Sequence, residues 1–451
     1  MQPYHWPGRF TPRESQKETV RFLVKNPKAF CLDGLGTGKT MSATWAMDFM
    51  MQHGLVRRAL IVAPLSICDW VWERELFQTL PHRHTVRLKG NRRDKQKKAR
   101  DTRFQILIVN PESLNIIEDH LHQVDLVIVD EFTKFKNHRS KRWKALYRIT
   151  RNRRLWLMSG TPAPQGPLDA YGPIKLVKPK PPSFLMYRDA TMMQVSQFTW
   201  VPKEGAENVV AEYMQPAIRH KAEDCYDMPR VSFIPYEVPL TAAQEQSIQD
   251  FQTRAASEIE GNQIPATTAA AVLSKCLQAM AGGVYYDGEN GKNIQRLDAT
   301  PYFEACESIV EQADSPVLVF VPFRSQAQTT YDYLVQSGHR AGLITGDTHE
   351  RDRGPLFDRV QANTIDALVA VAGTMSHGLT LTTARYILWA SPPYSFEEYE
   401  QANGRVIRHG QKNPVIIYHL VQNQLARMLF NRLRTREKLQ TTILNLLQNN
   451  A

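Results

Sequence analysis

"DGLGTGKT", residues 33–40, decides how the rest of the chain is read. It follows the apolar run "AFCL" (29–32) and leads into "KTMSATWAMDFMMQHG" (39–54). In the latter, Met41, Trp45 and Phe49 recur every four residues with Ala46 and Met50 beside them, and Gly54 supplies a stop, so the spacing predicts a helix. A strand ending in a glycine-rich turn that opens a helix is the setting of a phosphate loop. Gly36 and Gly38 permit tight turns, and the amides of Gly34, Leu35, Gly36, Thr37 and Gly38 can point at phosphate oxygens. The helix dipole favours negative charge at the same place. Lys39 would reach the β- and γ-phosphates and Thr40 would ligate Mg²⁺. The first glycine of the strict G-x-x-x-x-G-K-[ST] pattern is Asp33 here. Without its flanking strand and helix, the same G-x-G-K-T would read as a turn.

Outward from this loop, short apolar runs alternate with helical patterns. "AFCLDG", "ALIVAP", "FQILIVN", "LVIVDE" and "RLWLMSG" have strand length and polar or turn boundaries. Alternating strands and helices predict an α/β fold with a parallel sheet covered on both faces. From about 164 to 300 the alternation loosens, "KPKPPSF" is a breaker cluster, and helical segments are expected without alternating strands. Alternation resumes in "SPVLVFVPF", "RAGLITG", "DALVAVAG", "RYILWASPP" and "NPVIIYHLV", a second α/β lobe. The closing "RMLFNRLRTREKLQTTILNLLQNN" reads as one amphipathic helix. The expected divisions are lobe 1 over 1–175, a helical inter-lobe segment with the start of lobe 2 over 176–300, lobe 2 over 301–425 and a terminal helix over 426–451.

The 451 residues suit two to three domains, and a hydrophobic fraction of 42% is ordinary for a globular protein. No stretch approaches the ~18–20 uninterrupted apolar residues of a membrane span. The N-terminus carries no signal pattern. Cys31, Cys68, Cys225, Cys276 and Cys306 are scattered without a C-x-x-C pair, which suits a reducing compartment and offers no cysteine metal site. Lys and Arg number 56 against 45 Asp and Glu, a formal net charge of +11. That surplus is compatible with a polyanionic partner and equally with a basic protein that has none. The basic run "RRDKQKKARDTR" (92–103) reads most simply as a solvated loop or helix face.

"LVIVDE" (126–131) places two carboxylates at the carboxyl end of a strand, where ligands of such sheets bind. Asp130 would hold Mg²⁺, and Glu131 would polarise an attacking water. In "QANGRVIRHGQ" (401–411), Gln401, Arg405 and Arg408 fall at i, i+4 and i+7 and would share one helix face. Arginines contribute about 10³–10⁵ in rate when they meet the charge that develops in phosphoryl transfer. A helix with solvated arginines is the competing reading of that spacing.

These motifs together resemble the Swi/Snf-type ATPases of helicase superfamily two. "PRESQKETVRFL" resembles the family's entry motif, with Arg13 and Gln16 at the adenine-contacting positions. "DGLGTGKT" resembles D-E-M-G-L-G-K-T, which accounts for Asp33. "LIVAPLSICDWVWERE" resembles L-I-V-x-P-x-S-x-x-x-x-W-x-x-E, with Trp70 and Glu73 as its W-x-x-E, one residue nearer the serine. "VDEFTKFKN" keeps the D-E then K-N spacing, with Phe132 and Thr133 where Ala-His is usual. "LMSGTPAPQGPLD" resembles the S/T-G-T-P coupling motif, with Gln165 where Asn is common. "LTAAQEQSIQDF" resembles the segment that opens the second lobe. "SHGLTLTTA" resembles G-x-G-L-N-L-T-x-A, with Ser376 and Thr380 as departures, and "QANGRVIRHGQ" resembles Q-A-x-G-R-x-x-R-x-G-Q.

The resemblance implies two RecA-like lobes, each a mainly parallel sheet flanked by helices, with a helical inter-lobe segment. It implies a monomeric motor that hydrolyses ATP with Mg²⁺ while moving along double-stranded DNA through backbone contacts, usually without separating the strands. By motif position the nucleic-acid contacts would be Ser66, Trp70, Ser159, Thr161, Arg324, Ser325, Thr345 and Thr374, although serines and threonines at strand ends are as often turn or cap residues. No histone-reading, zinc or nuclease module is recognisable, so a role in phage or bacterial DNA replication, repair, recombination or defence is expected over nucleosome remodelling. The place of action would be the cytoplasm of a bacterium or phage-infected host, with replication or repair proteins as partners and no membrane. A strand-separating helicase, an RNA helicase, and a DNA-binding protein using ATP as a switch are the alternatives.

Overall fold

The computed structural model describes residues 4–196, 200–257, 266–288, 291–375, 380–393 and 395–433. The chain divides into two compact units at Asp227–Met228. The first contains a seven-stranded sheet built from Lys28–Cys31 (β1), Arg58–Val62 (β2), Thr85–Arg87 (β3), Ile106–Val109 (β4), Val124–Asp130 (β5), Arg154–Met158 (β6) and Ala217–Ile218 (β7). Its order is β3-β4-β2-β5-β6-β1-β7, and every pairing is parallel. Successive residues of one strand feed opposite cores. Leu60 and Val62 join Phe30, Val127, Val129, Leu155 and Leu157 on one face. Ala59 and Ile61 join Cys31, Ile108, Ile128, Trp156 and Met158 on the other. That two-sided burial is why the strands read as continuous apolar runs rather than alternating ones.

Helices Glu14–Lys25 (α1) and Lys39–Gln52 (α2) cover the second face. α2 is buried on nearly all sides, through Trp45, Ala46, Met47 and Met50 among others, as a helix apolar all round should be. Each fully buried side chain of this kind contributes roughly 1.5–3 kcal/mol from water exclusion. The basic run forms the helix Arg92–Arg100, with Ala99 its buried residue, so the solvated-face reading holds.

The second unit contains a six-stranded sheet of Val231–Glu237 (β8), Val317–Val321 (β9), Ala341–Ile344 (β10), Ala367–Val371 (β11), Tyr386–Trp389 (β12) and Val415–Val421 (β13). The order is β8-β13-β12-β9-β11-β10, again all parallel. Leu318, Phe320, Leu368, Ile387 and Trp389 face one core, and Val319, Val321, Val369 and Leu388 the other. The two sheets bear out the expected α/β class.

The expectation of helices without strands between 164 and 300 is corrected. This stretch holds β7, β8 and the antiparallel hairpins Met192–Gln194 with Trp200–Pro202 and Gly283–Gly288 with Gly291–Arg296. β7 is too short to show a period, and β8 lies at a sheet edge, where its proline, Pro235, is tolerated. The expected terminal helix is observed over 424–433, and the rest of that segment lies outside the described residues. No disulfide joins the five cysteines, and all but Cys225 are buried. No helix among the described residues is long and apolar enough to cross a membrane.

Candidate functional site

The carboxyl ends of β1, β6 and β5 lie side by side in the first sheet, so the loops that leave them meet. After β1, Gly36 and Gly38 adopt left-handed backbone conformations, with φ of 79° and 89°. Gly38 is needed twice over. Its φ is one that side chains disfavour, and a Cβ there would displace the Gln16 amide that lies against it. Gln16 is itself buried in α1. Its amide donates to the Thr37 carbonyl at 3.4 Å, and its oxygen accepts from the Arg13 amide at 3.0 Å. The adenine-side candidate Gln16 is thus brought onto the phosphate loop. The Arg13 guanidinium instead lies over the Tyr226 ring, 4.2 Å from its centroid, and donates to the Tyr226 hydroxyl.

α2 starts at Lys39 without a side-chain cap, leaving its first-turn amides for a ligand. Lys39 Nζ donates to the carbonyls of Asp33 (2.6 Å) and Gly34 (2.9 Å), holding the ammonium inside the loop. A triphosphate fits this donor set of glycine turns, uncapped helix start and cation.

Asp33 organises the loop from below. Its carboxylate accepts from Thr19 Oγ1 (2.8 Å) and from the His220 amide (2.8 Å), and His220 Nδ1 stands 3.0 Å from it. His220 Nε2 reaches Glu18 Oε2 at 2.9 Å. Hydrogen bonding to Asp33 first, opposed by burial and helped by Glu18, pushes the imidazole up to about 9. Position 33 therefore ties α1, the phosphate loop and the segment after β7 together, a use of aspartate that glycine could not supply.

At the end of β5, Asp130 is buried. The indole of Trp72 donates to its Oδ2 at 2.9 Å, and the Glu131 amide donates to its Oδ1 at 3.1 Å. Burial raises the Asp130 carboxyl, against the Trp72 hydrogen bond, the nearby Lys39 charge and the Glu131 amide, which favour its ionised form. Glu131 has φ 52°, a sparsely populated conformation for a non-glycine residue and a common mark of a working position. It turns the carboxylate toward Ser159, whose Oγ donates to Glu131 Oε2 at 3.1 Å while accepting from the Thr161 amide at 3.1 Å. Ser159 also donates its amide to the Cys31 carbonyl, so it spans from β1 to β5. A cation ligated by Asp130 and Thr40 suits these residues, since a buried carboxylate at a strand end gains from a positive neighbour.

Trp72 and His220 carry the site without having been signalled by sequence motifs. Motif spacing points to Trp70, whose side chain, like that of Ser66, lies outside the described residues. Residues Cys68–Glu73 form a wide π turn, where Trp72 is fully buried. His220 is some two hundred residues from Asp33 and joins it only through the pairing of β7 with β1.

In the second unit the helix Phe396–Asn403 ends before the arginines, correcting the single-face reading of Gln401, Arg405 and Arg408. Gly404 caps that helix, and the chain continues in turns. Gln401 is buried on the helix, with its amide 3.4 Å from Glu397 Oε1. Arg405 is also buried, at 9% exposure, and its Nε donates to the Met375 carbonyl at 2.9 Å beyond β11. Arg408 is half-buried. Arg353, unmarked by any motif, donates to the Thr348 carbonyl (3.1 Å) and reaches those of Thr345 and Thr374 within 3.5 Å. It gathers the loops after β10 and β11. Arg324 is exposed and paired with Asp347 on the same edge. Thr345 and Ser325 are buried, as are Ser159 and Thr161 in the first unit. Ser376 lies outside the described residues.

Residues 15–280 match the SNF2-related domain, and residues 302–410 match the helicase conserved C-terminal domain. Protein p41 of Acyrthosiphon pisum secondary endosymbiont phage 1 is 24% identical over 465 residues, covering 96% of this chain and 98% of that protein. The uncharacterized ATP-dependent helicase YqhH of Bacillus subtilis is 22% identical, covering 97% of this chain and 80% of its own length. The chain spans 24% of the chromodomain-helicase-DNA-binding protein 3 homolog of Caenorhabditis elegans, at 23% identity over 87% of this chain. Among solved structures, the Sulfolobus solfataricus SWI2/SNF2 ATPase core in complex with dsDNA aligns with 99% of this chain and 96% of its own, at 17% identity and a TM-score of 0.48.

Proposed function

The chain belongs to the SNF2-related family, as an ATP hydrolase of helicase superfamily two, and from that premise we propose that it is a DNA-dependent ATPase that translocates on double-stranded DNA. The observation that carries the reading is the Lys39, Asp130, Glu131 and Ser159 constellation at one sheet edge. In this reading Gln16 and Arg13 receive the adenine, with Arg13 leaving the Tyr226 ring to do so. The loop Gly34–Thr40 receives the phosphates, and Lys39 exchanges its two loop carbonyls for phosphate oxygens. Asp130 and Thr40 hold Mg²⁺, which when bound supplies charge neutralisation across the β- and γ-phosphates. Glu131 orients the attacking water and accepts its proton. The Ser159 hydroxyl holds the Glu131 carboxylate in register and links its state to the Thr161 segment.

Gln401, Arg405 and Arg408 are assigned to the γ-phosphate side of the reaction. The burial of Arg405 supports this, because a guanidinium fixed by a backbone carbonyl is preorganised. Backbone-directed contact with duplex DNA is assigned to the strand-end edges of both units, with the exposed Arg324 and half-buried Thr374 in the second as side-chain contacts, while the buried Thr345, Ser159 and Thr161 shape those edges from beneath. The surplus of positive charge supports a polyanionic track. The similarity to p41 and YqhH supports a role in phage or bacterial DNA transactions.

Strand separation is the second reading, favoured by the Gly283–Arg296 hairpin, a shape that can split a duplex. Triplex displacement and forked-duplex unwinding, measured side by side with ATP, separate the two. Displacement without unwinding supports translocation. Unwinding supports a helicase, and failure of both overturns the motor.

A further inference from the structure

At the opposite end of the second sheet, the helix Thr300–Gln312 carries Glu307 and Glu311 one turn apart. The chain entering β10 brings His339 beside them, so that one ligand atom from each lies within 4.8 Å of the others. From this geometry we propose a divalent transition-metal site of the zinc class, held by Glu307, Glu311 and His339. It stands at the amino ends of the strands, away from the loops after β10 and β11 within this unit.

Several observations converge. His339 Nε2 is buried and makes no hydrogen bond, which is costly for a polar ring atom. It stands 3.7 Å from Glu307 Oε1, too far for a hydrogen bond. Two atoms bound tetrahedrally to one zinc at about 2.0–2.2 Å stand about 3.3–3.6 Å apart, so a small closure would make both ligands. Glu307 is aimed by the Tyr333 hydroxyl, which donates to its other oxygen at 3.0 Å, the kind of support that fixes metal carboxylates. Arg340, the nearest basic neighbour in sequence, is neutralised by Asp366 through contacts of 2.6 and 3.2 Å from its side chain. A cavity of about 530 Å³, lined by Arg340, Asn363 and Asp366 among others, is bordered by two of the three ligands, Glu311 and His339. It leaves room for a water as fourth ligand. One imidazole and two carboxylates suit Zn²⁺ before Mg²⁺, which prefers oxygen ligands and keeps its waters.

The test is titration of the EDTA-stripped full chain with ZnCl₂ by calorimetry, with MgCl₂ in parallel and Co²⁺ absorption as a report of ligand geometry. One equivalent of Zn²⁺ is expected to bind saturably, and Co²⁺ to give the intense bands of a four-coordinate site. His339→Ala and the exposed-site variant Glu311→Gln should each weaken Zn²⁺ binding at least tenfold, with metal-free melting unchanged. His53→Ala, a control in the first unit, should bind as wild type. Absence of saturable Zn²⁺ binding overturns the site, as does unchanged affinity in either ligand variant, or loss of affinity in the control equal to that in the ligand variants.

Discussion

Replacing Trp72 by Phe removes a hydrogen-bond donor together with part of a buried ring system, and the shift of the acid limb is the readout that separates the first effect from the second. The indole is fully buried and its NH meets Asp130 Oδ2 at 2.9 Å. Phenyl keeps one aromatic ring there but leaves that oxygen without its donor. A hydrogen bond to a charged, buried group contributes about 1.5–3 kcal/mol. If the whole of that is felt where Asp130 does its work, ATP turnover falls roughly 10- to 150-fold, at 1.4 kcal/mol per factor of ten. The sign of the pH effect is also fixed. Burial already raises the Asp130 carboxyl, and the Trp72 donor acts against that rise. Its loss raises the carboxyl further, so the acid limb of the rate profile moves to higher pH. The assay is steady-state phosphate release from about pH 5 to 9 for wild type and Trp72→Phe, with duplex DNA and Mg²⁺ saturating. A variant with turnover within twofold of wild type and an unmoved acid limb refutes the assignment of Asp130 to the reaction through Trp72.

Lys39→Ala is expected to abolish hydrolysis, while Glu131→Gln keeps nucleotide binding and blocks turnover; fluorescent-nucleotide titration beside phosphate release checks both. Arg405→Ala should spare nucleotide binding yet remove DNA-stimulated turnover, and wild-type turnover in that variant would dismiss its finger role. His220, pushed up from its ordinary 6.5 to about 9 chiefly by Asp33, gives a stability term with a defined direction. The folded chain favours the imidazolium, so the contribution is complete below pH 6.5 and is lost as pH rises through 9. Wild-type melting temperature should therefore fall more steeply than that of His220→Gln between those values, and parallel curves would remove His220 from the account.

Much of this was legible in the chain because the central strands and the phosphate loop are local events. "ALIVAP" and "LVIVDE" are buried on both faces, and that burial writes itself as unbroken apolar runs. Gly36 and Gly38 mark turns that need their φ values. What escaped was non-local or marginal. β7 has two residues, and β8 is an edge strand with mixed exposure, so neither has a period to detect. Asp33 was legible as a departure from a phosphate-loop pattern, but its partner His220 depends on a pairing across the sheet. Trp72 lies two residues from the tryptophan that the motif singles out, and its contact with Asp130 is a tertiary event that no local pattern signals. The arginine face failed because Gly404 ends the helix before its second member.

The central claim is that nucleotide hydrolysis at the Lys39 loop is driven by duplex DNA. The most direct test is the ATPase rate of the full chain without nucleic acid and with equal backbone concentrations of duplex DNA, single-stranded DNA and RNA. The account predicts marked stimulation by duplex DNA above the other three conditions, declining with added salt. A rate indifferent to duplex DNA, or stimulation by RNA alone, would contradict it.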